Sequence, residues 1–219
     1  MNPLKIIIFL YDGMTALDAI GVYEVLRLIP DAQVEFVAKQ KGTIRMDSRM
    51  LSLVAEQSIE DVQQADILVL PGGATTHDVM QDQAVIDWVQ YIHTHAKWTL
   101  SVCTGAGFLL KAGLLNNQPT TTHWASLQYV EALGGIPSNQ RIVQTGKIIT
   151  AAGVSAGIDA ALMLVALERD ESLAKAIQLV IEYDPQPPFD SGSIDKAAPA
   201  TIDQASELLN ANVQRAIAD

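Results

Sequence analysis

Ser101-Val102-Cys103-Thr104-Gly105-Ala106-Gly107 is the stretch around which the chain is organised. Trp98-Thr99-Leu100 precedes it, so an apolar run rich in strand formers ends at the only cysteine in the sequence. Small residues follow, and Phe108-Leu109-Leu110 then resumes an apolar pattern of helical type. The expectation is strand, sharp turn, helix, with Cys103 at the turn. That geometry is a nucleophile elbow, in which a strained residue presents its side chain at the carboxyl end of a sheet. A thiol there sits at a helix N-terminus, where unpaired N–H groups and the helix dipole favour thiolate and reactivity at neutral pH. Taken alone, a lone cysteine reads equally well as a small buried hydrophobe.

On the N-terminal side, Lys5-Ile6-Ile7-Ile8-Phe9-Leu10-Tyr11 and Ala65-Asp66-Ile67-Leu68-Val69-Leu70 are near-continuous apolar runs. Such runs mark strands buried on both faces of a parallel sheet. Asp12-Gly13 turns the first, and Pro71-Gly72-Gly73 breaks the second. Leu17, Ile20, Val25 and Leu28 recur at helical spacing and predict a helix over 15–28, closed by Pro30. Residues 34–37 read as a strand, the alternating 43–54 as one or two edge strands, and 83–95 as a helix. Beyond the elbow, 119–123 is extended, 124–133 helical, and 142–144 with 148–150 form a hairpin about Thr145-Gly146. Helices follow over 154–168, 172–183 and 201–218, with Pro185, Pro187, Pro188 and Pro199 marking 184–200 as a loop or wrapping segment.

Strands alternating with helices predict an α/β fold with a mostly parallel sheet covered on both faces, in one domain over residues 1–219. In such folds the site lies beyond the carboxyl ends of the strands. Tyr11-Asp12-Gly13, Pro71-Gly72-Gly73 and Cys103 all fall at such ends, which favours a catalytic Cys103 over a packing role. The formal charge of −11 argues against nucleic acid and anionic membrane surfaces as partners. One cysteine excludes an intramolecular disulfide and fits a reducing compartment. The opening apolar run is too short for a signal peptide and no stretch is long enough to span a bilayer, so a cytoplasmic location is expected.

A cysteine nucleophile needs its thiolate, a proton source, and donors for charge developing on the substrate. The Thr104 N–H opens the helix and is the natural first donor. Gly73 N–H can be a second, since glycine admits a close ligand, although Pro71-Gly72-Gly73 also reads as a plain strand-ending turn. Asp18 lies in the apolar setting Ala16-Leu17-Asp18-Ala19-Ile20, where a carboxylate must be paired, exposed or protonated. Protonated, it is a proton donor beside the sulfur; exposed, it is an ordinary helix residue. His123 follows a strand-like piece and either faces the pocket or packs in the core. His93 and His95 read as surface residues near a helix end, spaced wrongly for a metal pair. Neither G-x-x-x-x-G-K-[ST] nor a G-x-G-x-x-G after the first strand occurs.

Leu17-Asp18-Ala19-Ile20-Gly21, Pro71-Gly72-Gly73, Ser101-Val102-Cys103-Thr104-Gly105 and Thr121-Thr122-His123-Trp124-Ala125 together resemble the ThiJ/PfpI superfamily, relatives of class I glutamine amidotransferases. Ser155-Ala156-Gly157-Ile158-Asp159 and Glu182-Tyr183-Asp184-Pro185-Gln186-Pro187-Pro188-Phe189 are similar to its isonitrile (isocyanide) hydratase branch. The resemblance implies a flavodoxin-like three-layer sandwich and a homodimer acting on a small molecule. It also implies Cys103 as nucleophile, Asp18 as its acidic neighbour, and Thr104, Gly72, Gly73, His123 and Val154 about the site. The implied reaction adds water to R–N≡C through a covalent thioimidate on Cys103 and yields an N-substituted formamide, with no metal or organic cofactor. Ile194 stands where the pattern has proline, and Val154 where isoleucine is usual; both bear on substrate preference. Two other readings fit the elbow: a non-catalytic sensor related to AraC-type regulator domains, and a redox or glycation-response protein of glyoxalase or deglycase type. No basic helix-turn-helix segment follows the last helix, which weighs against a DNA-linked sensor.

Overall fold

Ile6, Ile7, Ile8, Phe9 and Leu10 have no solvent exposure, as a strand covered on both faces demands. They form the middle of β1 (Leu4–Leu10). The computed structural model describes residues 3–218; Met1, Asn2 and Asp219, the extreme ends of the domain expected over 1–219, lie outside the described residues. After β1 come α1 (Ala16–Leu26), β2 (Ala32–Ala38), β3 (Gly42–Arg45), β4 (Ser52–Ala55), β5 (Gln57–Ser58) and β6 (Ile67–Leu70). The middle of the chain forms α2 (Thr76–Val79), α3 (Gln83–His95), β7 (Trp98–Val102), α4 (Ala106–Lys111), β8 (Pro119–Thr120) and α5 (Leu127–Ala132). The remainder forms β9 (Ile136–Pro137), β10 (Ile142–Thr145), β11 (Ile148–Ala151), α6 (Ala156–Glu168), α7 (Glu171–Val180) and α8 (Pro199–Ile217).

A seven-stranded sheet in the order β10-β11-β7-β6-β1-β2-β5 is parallel except for β10. On one face α1 packs on α6 and α6 on α7; on the other, α4 packs against α2, α3 and α5. This is the three-layer α/β sandwich that the alternation of elements implies. The register places Leu70 beside Ser101 and Val102 beside Ala151, so β6, β7 and β11 end at nearly one level. β1 ends beside them, and its Phe9 stands edge-on to Phe108 of α4 at 5.8 Å between ring centroids.

Several expectations need correction. Residues 43–54 do form two strands, but β3 and β4 pair with each other in a separate antiparallel sheet and are not edges of the main one. Alternation reports a half-buried strand without saying which sheet receives it. The actual edge on the β2 side is β5, too short to show a period. His93 is not on the surface: it is 8% exposed, and its Nδ1 hydrogen-bonds the Thr99 hydroxyl at 2.9 Å because the last turn of α3 lies on β7. Burial, with the nearby Lys147 charge, drives its pKa down to about 4. The Lys147 ammonium in turn donates to the carbonyls of His93 and Ala96 at 2.6 and 2.9 Å, closing the C-terminus of α3. The helix expected over 124–133 divides into a 3₁₀ turn, Trp124–Ser126, and α5.

The elbow meets the end of β6 without side-chain clearance. A β-carbon on Gly105 would stand 2.0 Å from the Leu70 carbonyl oxygen, so only glycine fits there. Gly105→Ala must push backbone against backbone, and a loss of about 3 kcal/mol is expected from such overpacking. Urea unfolding followed by circular dichroism would report it as a lowered midpoint at unchanged slope.

Candidate active site

Cys103 has φ 56°, a left-handed conformation that a residue with a side chain adopts only under constraint. Two hydrogen bonds supply it. The Cys103 N–H donates to the Ala152 carbonyl at 2.7 Å, and the Thr122 hydroxyl donates to the Cys103 carbonyl at 2.7 Å. The end of β11 and the segment after β8 therefore clamp the elbow, and a 3₁₀ turn, Cys103–Gly105, leads into α4. Across the gap, a β-carbon on Gly72 would lie 2.5 Å from the Thr104 nitrogen and 2.9 Å from the Cys103 Cβ. Glycine at 72 is what lets the β6 turn touch Cys103.

Asp18 enters from α1 and has no solvent exposure. Its Oδ2 accepts the Gly72 N–H at 2.9 Å, while Oδ1 makes no hydrogen bond. Burial raises its pKa to about 7, against the opposing effects of the Gly72 N–H and the Cys103 thiol; the charge of Asp47 adds to the rise. The alternative of an ordinary exposed helix residue is excluded. Cys103 is itself 6% exposed. Burial, then the Asp18 charge, pushes its thiol well up, while the N–H groups of Thr104 and Val154 and the Thr104 hydroxyl draw it back. The helix N-terminus alone was expected to favour thiolate; burial beside a carboxyl opposes it. Two negative charges in this dry space are disfavoured, so the pair loses its first proton at about pH 7 and above that carries one charge and keeps one proton.

Thr104 does more than the sequence suggests. Its Oγ1 accepts the Gly73 N–H at 2.9 Å and lies 2.7 Å from the Thr76 hydroxyl. Thr76 lies 2.7 Å from the Tyr11 hydroxyl, which donates to the Pro71 carbonyl at 3.0 Å. Gly73 N–H was expected to donate to the substrate, but here it is held by Thr104, and Gly72 N–H is held by Asp18. Val154 lies at the site through its N–H. His123 caps the 3₁₀ turn by accepting the Ala125 N–H on Nδ1 at 3.4 Å. Burial lowers its pKa, which keeps it a neutral imidazole. Thr76, Tyr11 and Thr122 were missed by sequence reasoning: hydroxyls inside apolar or threonine-rich runs carry no spacing signal.

Two cavities flank this cluster and share Thr122. One, about 410 Å³, opens from Gly73, Thr76 and Thr104 and is walled by Met80, Leu110 and Leu133. The other, about 330 Å³, is bordered by His123, Gly153 and Val154 and by Gly192–Asp195 of the Pro-rich segment. Among the described residues no helix is long and apolar enough to cross a membrane.

Comparison with known proteins places this arrangement. The model of the DJ-1/PfpI family matches residues 4–167. The chain belongs to the DJ-1/PfpI family. Within it, the chain is 39% identical over 202 residues to a Pseudomonas putida protein named isonitrile hydratase, an alignment covering 92% of this chain and 88% of that one. A THiJ/PfpI family protein from Pseudomonas syringae superposes with a TM-score of 0.89 at 33% identity, covering 99% of this chain and 90% of that chain. Schizosaccharomyces pombe DJ-1 shares the fold at a TM-score of 0.71 and 18% identity, over 83% of this chain and 100% of that chain.

The shared proton of this DJ-1/PfpI site has a measurable signature. Iodoacetamide should alkylate native Cys103 faster as pH rises through about 7, where the Asp18–Cys103 pair first loses a proton, and then level off. In Asp18→Asn the plateau should vanish and the rate climb on toward alkaline pH, because the buried thiol must then ionise without a carboxylate to take its proton. A wild-type rate without a step near 7 would contradict the pairing.

Proposed function

We propose that the chain hydrates isonitriles to N-substituted formamides, with Cys103 as nucleophile and Asp18 as proton carrier. The observation that carries this reading is the buried Asp18 carboxyl beside the thiol, with one oxygen unpartnered, in a chain 39% identical to a protein named isonitrile hydratase. An isonitrile needs both a nucleophile and a proton at one carbon atom, and this pair supplies a thiolate and an acid at one point once its shared proton passes from sulfur to Asp18.

The reaction balances with the pair alone. The Cys103 sulfur bonds to the terminal carbon of R–N≡C while the Asp18 proton is delivered to that carbon, giving R–N=CH–S–Cys103 and an Asp18 carboxylate. Asp18 then takes a proton from water as its oxygen adds to the carbon, and passes that proton to nitrogen. Collapse of R–NH–CH(OH)–S–Cys103 breaks the carbon–sulfur bond, and the hydroxyl proton returns to Asp18. The products are R–NH–CHO and the original thiolate–acid pair. Thr104 and Val154 N–H groups stabilise the sulfur anion at each end of the cycle. The larger cavity, whose Met80, Leu110, Val130 and Leu133 wall carries no charged carboxylate, lysine or arginine, suits an uncharged R group.

One working domain over 1–219, acting as a homodimer in the cytoplasm, completes the proposal. Leu179, Val180, Phe189 and Leu208 are each more than two-thirds exposed, which supports burial against a second copy. Light scattering at micromolar concentration should give twice 23.6 kDa; the single mass would count against the dimer.

Cys103→Ala should abolish formamide production, since no covalent route remains. Asp18→Ala and Asp18→Asn should each lower kcat by roughly 10²- to 10⁴-fold, the worth of a positioned acid–base group. An Asp18→Asn enzyme near wild-type rate would leave Asp18 only an orienting part. His123→Ala should be milder. Initial rates on a panel of isonitriles and glyoxals check all of this. Turnover of glyoxals alone would favour the glycation reading, and ligand binding without turnover the sensor.

A further inference from the structure

The start of α1 departs from ordinary helix chemistry. Thr15 occupies the N-cap and Asp18 the third helical position, the spacing of a capping box, in which the threonine oxygen would accept a helix N–H and the acid would reach back to the Thr15 N–H. Neither contact forms. The Thr15 side chain makes no cap hydrogen bond, the Thr15 N–H goes to the Gly72 carbonyl at 2.9 Å, and the Asp18 carboxyl turns to Gly72 and Cys103.

What draws Thr15 away is Asp47, in the turn between β3 and β4. Its Oδ2 accepts the Thr15 hydroxyl at 2.8 Å and the Asn212 amide of α8 at 3.0 Å, while its Oδ1 accepts the Ser48 N–H at 2.7 Å. The turn itself is docked on the loop before α1: Asp47 N–H donates to the Met14 carbonyl at 2.9 Å, Gly13 N–H to the Arg45 carbonyl at 2.8 Å, and Arg45 N–H to the Asp12 carboxylate at 2.7 Å. Asn212 is followed in α8 by Val213, which lines the larger cavity. The separate β3–β4 hairpin, which adds nothing to the main sheet, thus has one carboxylate bridging the helix that carries the acid and the helix that walls the cavity.

We infer that Asp47 is a positioning residue of the active site: by taking the Thr15 hydroxyl it removes the threonine's half of the capping box, holds the helix start where the Gly72 carbonyl takes the Thr15 N–H that Asp18 would otherwise reach, and ties the start of α1 to α8. The inference deepens the proposed hydration and rests on it for its kinetic readout. The titratable groups facing Asp18 are the Cys103 thiol beyond β7, the Tyr11 phenol at the end of β1, and Asp47. From α6, packed along α1, Ile158 approaches at Gly21, while its Asp159 is paired with Arg141. Asp47 is therefore the nearby anion outside the reacting pair, and its charge favours the proton on Asp18. Removing that charge makes Asp18 ionise more readily, so the pair should lose its first proton at a lower pH.

The test uses Asp47→Asn, which keeps an acceptor for Thr15 but loses the charge, and Asp47→Ala, which loses both. Iodoacetamide alkylation of Cys103 against pH reads the site without any substrate. Both variants should shift the midpoint to lower pH than wild type. With an isonitrile substrate, Asp47→Ala should lose on the order of 10- to 100-fold in kcat, as expected for a misplaced acid, and Asp47→Asn should lose less. Circular dichroism and the thermal midpoint establish that each variant is folded. If the alkylation midpoint stays at the wild-type pH in both variants, the inference is overturned, whatever happens to kcat. Equal losses in folded Asn and Ala variants would overturn the positioning role as well. A shifted midpoint in a protein that turns over no isonitrile would uphold Asp47 and reject the hydration reading instead.

Discussion

A carboxyl and a thiol held together out of contact with water are the constraint on which the rest of this structure depends. Asp18 has no exposed surface and Cys103 almost none, so burial raises the energy of ionising each, and the Asp18 charge raises that of the thiol further. The arrangement survives because the single charge it carries has partners: the Gly72 N–H at the carboxylate, and the Thr104 and Val154 N–H groups at the sulfur. Those donors come from turns after β6, β7 and β11. A parallel sheet delivers such turns to one place, and the glycine at 72 lets two of them touch.

Strain at Cys103 follows from the same demand. A left-handed residue costs of order 1–3 kcal/mol and persists only where its surroundings over-determine it. Here the Ala152 carbonyl holds its N–H and the Thr122 hydroxyl holds its carbonyl. Behind them, Thr104, Thr76 and Tyr11 form a hydroxyl chain that ends on the Pro71 carbonyl, fixing the β6 turn against the elbow. A chain of satisfied hydrogen bonds in a dry setting rigidifies what it connects. That rigidity holds the β6 turn, and with it the Gly72 N–H bonded to Asp18, against the elbow that carries Cys103.

The outer elements serve the site at a distance. The β3–β4 hairpin lies outside the main sheet, yet its turn holds Thr15 and, through Asn212, α8. α8 in turn contributes Val213 to one cavity, and the Pro-rich segment before it borders the other. The end of the chain, from the Pro-rich segment through α8, is therefore wall more than core: of all α8 residues Ala216 alone is buried.

The sequence by itself determined the layers and the place of Cys103 at a strand-to-helix turn. Continuous apolar runs at Ile6–Leu10 and Ile67–Leu70, short, rich in β-branched residues and closed by Asp12-Gly13 and Pro71-Gly72-Gly73, read as strands covered twice, and a cysteine between a strand-like run and a small-residue run marks a strand-to-helix turn. Such signals are local, carried by the period of side chains along one segment. The family resemblance added Asp18 and Val154 to the candidate site, which local patterns left undecided. Tertiary structure decided the state of those groups. Whether Asp18 is an exposed helix residue or a buried acid depends on α6 and the β6 turn closing over it. Whether the cysteine's helix position or its burial governs the thiol depends on a neighbour 85 positions away in the chain, the difference between 18 and 103. The roles of Thr76, Tyr11, Thr122 and Asp47 were likewise invisible, because a hydroxyl or carboxylate has no pattern until another segment supplies its partner. Desolvation and hydrogen bonding across segments are properties of the packed chain, and no reading along it contains them.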